Sequence, residues 1–300
     1  MMIRLAYLAN YFLERDITGR ALFRLPDDVF VVAYPGSGGQ WLRRLIANLL
    51  DPPGDNSSSD PSSPVTEANV MSRLPDLYHA SRRGFAKMKR PRIIFSHECF
   101  DPEYRKVIYL VRDPRDVAVV QYEQRRQGGS IDNAVSIEQF VSTFLMRTDE
   151  YESGWAEEFS GAIKANHGFA YRSRLKDEFL GTPASWGENV MSWIGARGRD
   201  PNAMLLLRYE DLLSDPQAEL GKIAAFLKLA GLNIDGLNVN ASPERIRTAL
   251  TAAQSQTNPQ DPGKWSTALP KASVQAIEST WGPVMTAIGY ALQARELQYR

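Results

Sequence analysis

Three short stretches of this sequence carry residues that could do chemistry. The first is Tyr34-Pro35-Gly36-Ser37-Gly38-Gly39-Gln40-Trp41. It stands between a strand-like run, Asp28 to Tyr34, and a helical stripe of apolar residues from Gln40 to Leu50. Glycines let the backbone approach an anion closely, and the N–H groups that open a helix point at it. Ser37 adds a hydroxyl donor. The loop does not fit G-x-x-x-x-G-K-[ST]: it has no lysine for β- and γ-phosphates and no Ser or Thr placed for magnesium. It reads as an anion cradle, with a plain tight turn as the alternative.

The second stretch is Ile93-Ile94-Phe95, a short strand leading to Ser96-His97. Histidine titrates near neutrality and suits a general base that takes the proton of an attacking hydroxyl. A structural role is the commoner fate of a histidine at a strand end, and His79 and His167 have no comparable setting. In the third, Arg112 closes the strand Lys106 to Val111, and Asp113-Pro114 reads as the N-cap and first residue of a helix to about Arg126. An arginine there can hold a phosphate in a bidentate fork or pair with an Asp at the surface. The residues alone leave both open.

The elements that must position these groups follow from periodicity. Met204 to Leu207 is a fourth strand, followed by Arg208-Tyr209-Glu210-Asp211-Leu212. Helices are expected over Ile137 to Met146, over Trp186 to Ala196, from Asp215-Pro216 to about Leu229, from Ser242-Pro243, and after Pro270 with an interruption at Gly282-Pro283. An amphipathic helix is expected at the N-terminus, a Pro/Ser/Asp loop at 51–64, and an irregular excursion at 147–185. Strands alternating with helices predict a three-layer α/β/α fold around a central parallel sheet, P-loop NTPase-like, as one domain over 1–300. Ligands of such sheets gather at the carboxyl ends of the strands. The glycine loop, His97, Arg112 and Tyr209 all fall there.

Bulk properties narrow the partners. Thirty-five basic residues balance 35 acidic ones, so charge gives no argument for nucleic acid. One cysteine, Cys99, excludes an intrachain disulfide and is expected to be a small buried residue. No apolar run approaches the roughly 20 residues of a transmembrane segment, and no signal peptide is legible. A soluble, cytoplasmic protein is expected.

The blocks VFVVAYPGSGGQWLRRLI, IIFSH, YRKVIYLVRDPRDVAVVQYE, NAMLLLRYEDLLSDPQAELGKIAAFL and PGKWSTAL…IGY occur in an order and spacing that resembles the sulfotransferase family. The resemblance covers roughly residues 26 to 292 and is weakest at 51–90 and 147–185. It implies transfer of a sulfuryl group from PAPS (3′-phosphoadenosine 5′-phosphosulfate) to a hydroxyl or amine, leaving PAP, with no metal. It places the 5′-phosphosulfate loop on Tyr34 to Trp41, including Gly36, Ser37, Gly38, Gly39 and Gln40. It places the 3′-phosphate block at Arg112 and a tyrosine near the adenine at Tyr209. The Gly-x-Trp of the C-terminal loop falls on Gly263 and Trp265, with Lys264 between them. The catalytic histidine falls on His97.

The sequence departs from the family pattern at identifiable points. Gly36 stands where the commonest soluble members carry a lysine, and Gly39 and Gln40 replace two threonines. Phe95 stands where a second lysine is frequent, Val120 where a serine is expected, and Asn258-Pro259-Gln260 where Arg-Lys-Gly is expected. Each charged hydrogen bond lost would weaken binding by about 1.5–3 kcal/mol. Arg43, Arg44 and Lys264 are the candidates to compensate. The rival reading is a binding or regulatory protein on the same fold that takes another anion or none; a nucleotide kinase lacks its lysine and magnesium ligands. A small-molecule, lipid or glycan acceptor would be met by segments near 66–90, 123–150 and 151–190. Aromatics there, including Phe85, Tyr122, Phe140 and Phe144, would suit an apolar acceptor, or would simply be core.

Overall fold

The structure is a computed structural model that describes residues 25–50, 70, 73–77, 82–88, 90–145, 185–197, 202–229, 247, 249–251, 253 and 261–293. The expected N-terminal helix, the 51–64 loop, the 147–185 excursion up to 184 and the start of the helix at Ser242 lie outside those residues.

Four strands, β1 (Val29–Ala33), β2 (Ile93–Ser96), β3 (Lys106–Val111) and β4 (Met204–Arg208), form a sheet in the order β2-β1-β3-β4. All neighbours are parallel, with Val29 opposite both Ile93 and Lys106, and Val107 opposite Met204. The helices are α1 (Gly39–Leu50), α2 (Arg82–Lys87), α3 (Pro114–Gln127), α4 (Ile137–Leu145), α5 (Trp186–Arg197), α6 (Tyr209–Ser214), α7 (Pro216–Leu229), α8 (Trp265–Ala268) and α9 (Lys271–Ala287).

The strands are apolar at nearly every position because both faces of the sheet are covered. Phe30, Val32, Tyr109 and Val111 pack into one core with residues of α3, α4, α5 and α9. Val29, Val31, Ala33, Ile108 and Leu110 point the other way, into a core shared with α1 and α7. That is the expected three-layer arrangement. Helix α3 starts as its sequence requires. The Asp113 side chain accepts the Arg115 N–H at 2.9 Å, and Pro114 occupies a first-turn position that needs no donor.

One expectation fails. Helix α9 runs through Gly282-Pro283 without interruption. A proline inside a helix removes a hydrogen bond and costs about 3 kcal/mol. Here Ile277, Trp281 and Met285 are buried on either side of it, and the Trp281 ring packs against Phe144 and Trp186, each centroid 5.3 Å away. Burial of that face offsets the lost bond. The aromatics weighed as acceptor contacts resolve in the same way: Phe85, Phe140 and Phe144 are core residues, and the Tyr122 hydroxyl donates to the Val135 carbonyl. Among the described residues, no helix is long and apolar enough to cross a membrane.

A buried ion pair that sequence patterns do not reveal pins the edge of the sheet opposite the loop. Arg92 grips Asp28 with two bonds, Nε to Oδ1 at 2.8 Å and Nη2 to Oδ2 at 2.5 Å. Asp28 and Arg92 immediately precede the paired residues Val29 and Ile93, so the fork sets their register. Breaking a buried pair leaves a charge stranded. Arg92→Ala should therefore cost about 3–5 kcal/mol in urea unfolding, and the paired change Asp28→Leu with Arg92→Met should cost much less. Equal losses for both variants would show that the cost of the single change is not that of a stranded charge.

Candidate active site

The chain leaves β1 at Ala33 and turns at once, with the Ser37 N–H donating to the Tyr34 carbonyl at 3.0 Å. Gly36 and Gly38 have φ of 84° and 90°, in the left-handed region that glycine tolerates. Space is the second constraint. A Cβ on Gly38 would lie 2.4 Å from the Tyr209 ring, and one on Gly39 would lie 2.7 Å from the Phe95 ring. Tyr209 and Phe95 thus form a floor against which the bare loop is fitted. The first helical bond runs from Leu42 N–H to the Gly38 carbonyl at 3.1 Å. The amides of Gly39, Gln40 and Trp41 open the helix, where no carbonyl of the same helix can reach them.

Two buried donors at this loop, Ser37 Oγ and Trp41 Nε1, have no hydrogen-bond partner among the described residues. Leaving such a group dry costs about 1–3 kcal/mol. Left-handed glycines, helix-opening amides and two unpartnered donors together fit a ligand rich in acceptor oxygens, which is the demand a phosphosulfate makes.

His97 follows β2, one strand away. Its Nδ1 lies 2.5 Å from the carbonyl of Ala33, the last residue of β1. A carbonyl can only accept, so Nδ1 carries the proton and Nε2 is left as the basic nitrogen. The ring also stands edge-on to Phe95, with centroids 4.8 Å apart. The main chain here is held from α5. Asn189 Nδ2 donates to the His97 carbonyl at 3.2 Å, the Tyr109 hydroxyl donates to Asn189 Oδ1 at 2.8 Å, and Trp193 Nε1 donates to the Glu98 carbonyl at 3.0 Å. The sequence shows α5 as a helical stripe and nothing more; its role is a contact across some ninety residues, for which there is no local signal. Cys99 is buried as expected, and burial pushes its thiol up to about 12.

Arg112 directly follows β3 and is almost fully buried, its guanidinium 4.1 Å above the Tyr209 ring. This is a cation on an aromatic face. The residue next to that tyrosine fixes the adjoining turn: Glu210 accepts the Asp113 N–H at 3.0 Å and the Tyr290 hydroxyl at 2.8 Å. Burial holds the Glu210 carboxyl above its ordinary range despite those bonds.

The C-terminal loop is strapped to α3 by a residue that sequence reading passes over. Asp116 accepts the N–H of Gly263 at 2.7 Å and of Trp265 at 3.0 Å. Burial raises its carboxyl, opposed by those two amides and by the positive charge of Arg112. Arg115 lies 3.8 Å over the Trp265 ring and is paired with Asp113 and Glu278.

The structure thus brings the loop residues 36–41, His97, Arg112 and Tyr209 to one edge of the sheet, and ties Gly263 and Trp265 to α3. Two cations expected to compensate for the missing lysine are engaged by groups of the protein itself. Arg43 is fully buried and gives Nε and Nη2 to the Leu74 carbonyl and Nη1 to Gln40 Oε1. It is therefore a structural arginine, not a substitute for the missing lysine. Lys264 puts its ammonium on both carboxylate oxygens of Glu123, at 2.6 and 2.8 Å. Residues 258–260 lie outside the described residues.

Comparison with known proteins gives a consistent picture. A family profile described as "Sulfotransferase domain" matches residues 26–280. The chain is 25% identical to Sulfotransferase 2B1 of Homo sapiens over 219 residues, 67% of this chain and 46% of that one. It is 26% identical to a 3-beta-hydroxysteroid sulfotransferase of Cavia porcellus over 223 residues, 72% of this chain and 63% of that one. Both matches span less than two thirds of the relative's own length. In fold it is similar to a putative steroid sulphotransferase of Arabidopsis thaliana, with a TM-score of 0.57 at 18% identity over 96% of this chain and 84% of that one. It is similar also to a mouse sulfotransferase complexed with PAP, with a TM-score of 0.54 at 18% identity over 89% of this chain and 86% of that one.

The fit between Gly38 and Tyr209 generates a prediction. Gly38→Ala forces a left-handed non-glycine residue, worth about 1–3 kcal/mol of strain, and drives a methyl into the ring. It should lower the thermal midpoint and abolish any stabilisation by an added nucleotide. A variant that melts and responds like the parent would show that the loop has another resting shape.

Proposed function

The chain belongs to the sulfotransferase domain family, and from that premise we propose that it transfers a sulfuryl group from PAPS to a hydroxyl or amine of a small-molecule, lipid or glycan acceptor, with His97 as the general base. The observation that carries this reading is the bond from His97 Nδ1 to the Ala33 carbonyl. It orients the imidazole and ties the base to the strand that launches the anion loop. Two names among the relatives support the choice of ligands. The guinea-pig protein is named for 3-beta-hydroxysteroids, and the mouse structure is described as complexed with PAP. Steroid-like alcohols therefore head the panel of acceptors to be assayed.

Bound PAPS supplies the sulfuryl group and a phosphate as leaving group. The amides of Gly36 and of Gly38 to Trp41, with the Ser37 hydroxyl, would hold the 5′ end. Arg112 and Tyr209 would hold the 3′-phosphate end and the base. His97 Nε2 takes the acceptor's proton while the acceptor oxygen bonds to sulfur and the bond from sulfur to the phosphate oxygen breaks. Negative charge that gathers on the departing oxygen meets main-chain dipoles already in place. Positioning of the two reactants supplies the rest of the rate.

The engagement of Arg43 and Lys264 favours a second reading, a protein on this fold that binds an anion without catalysis. One pair of measurements separates the two. His97→Ala should lower transfer of labelled sulfate from PAPS about 100- to 10,000-fold while PAP binding by calorimetry stays as in the parent. Transfer at the parental rate would remove His97 from the mechanism. A parent protein that binds PAP and sulfates no acceptor would establish the second reading.

A further inference from the structure

Gln121 on α3 is a buried polar residue that the proposed chemistry does not use, yet it touches the anion loop. It is 1% exposed. Its Nε2 donates to the Pro35 carbonyl at 2.8 Å. Its Oε1 is buried and has no hydrogen-bond partner among the described residues. The bond to Pro35 is therefore made at the cost of an unsatisfied amide oxygen.

The geometry shows what the amide does. A trans peptide sets its C=O and N–H on opposite sides. With the Pro35 carbonyl held by Gln121, the Gly36 N–H of the same peptide must point away from α3. Gly36, at φ 84°, is packed against this side chain: a Cβ there would lie 3.1 Å from Gln121 Cγ and 3.3 Å from Val117 Cγ1. A lysine at position 36 would meet both a left-handed backbone and an occupied space. Gly36 and Gln121 are thus fitted to each other.

We propose that Gln121 is a positioning residue for the anion loop: by clamping the Pro35 carbonyl it fixes the Gly36 amide in the direction that receives the 5′ end of the nucleotide. This rests on the reading of the loop as a phosphosulfate cradle. The clamp replaces side-chain charge with main-chain orientation as the means of holding that end, and it couples Gly36 to Gln121.

The test uses a side chain of the same volume without the donor. Gln121→Met should bind PAP about tenfold more weakly by calorimetry, in a protein that still unfolds cooperatively. The Gly36 amide resonance should move in the nucleotide-free protein. Unchanged PAP affinity together with an unmoved Gly36 resonance would overturn the clamp. If the parent itself binds no PAP, the cradle reading fails, and the Gly36 resonance alone then decides whether the clamp exists. Gln121→Glu gives a check independent of the methionine variant's folding. Its carboxylate cannot donate to Pro35 but its carboxylic acid can, so the affinity ratio of variant to parent should recover as pH falls. A ratio that stays low at every pH would contradict the proposal, whereas a ratio near the parental value throughout means that burial keeps the carboxyl protonated and donating.

Discussion

The hydrogen bond between His97 Nδ1 and the Ala33 carbonyl is the contact on which the site depends. It is available because β2 and β1 are adjacent and parallel, so that both chains leave the sheet at the same edge. At that edge one strand launches the glycine loop and its neighbour delivers the histidine. The fork between Asp28 and Arg92 at the far edge sets which residues of the two strands lie side by side. A slip of one residue would turn every side chain of β2 to the opposite face and would carry His97 away from Ala33. The site is therefore a consequence of register, and register is fixed by a buried pair and a core on each face.

The loop lacks the lysine that the family resemblance led one to expect, and its neighbours fill the space around it. Phe95, in place of a second lysine, fills the space over Gly39 and braces the His97 ring. Gln121 lies against Gly36. Arg43 is drawn into the interior, where it grips Leu74 and sits 4.8 Å from the centre of the Phe95 ring. The substitutions form a fitted set. What remains to meet an anion at the loop is the direction of its amides, Ser37 and Trp41, with Arg112 at the neighbouring strand end. Fixed dipoles need little reorganisation when charge develops beside them.

The strands, α1, α3 and α7 were legible because each is written in local periodicity with a turn or cap at its start. So was the convergence of the loop, His97, Arg112 and Tyr209, since a parallel sheet sends all strand ends to one side. Where the long side chains go was not legible. Arg43 lies one turn inside a helix that opens on the loop, and nothing local says that it will turn to a carbonyl some thirty residues away. Lys264 pairs with Glu123 on α3, far away in sequence. Asn189, Asp116 and Gln121 act on main-chain atoms of distant segments, and a contact of that kind leaves no pattern in sequence. Pro283 misled for a different reason: packing of the Trp281 face outweighs a local propensity.

A crystal structure grown with PAP tests the central claim most directly. The 5′-phosphate should lie on the amides of Gly36 and of Gly38 to Trp41 with Ser37 Oγ engaged, the 3′-phosphate against Arg112, and His97 Nε2 facing the open side of the 5′-phosphate. PAP seated away from the glycine loop, or a loop left empty in crystals saturated with PAP, would contradict it.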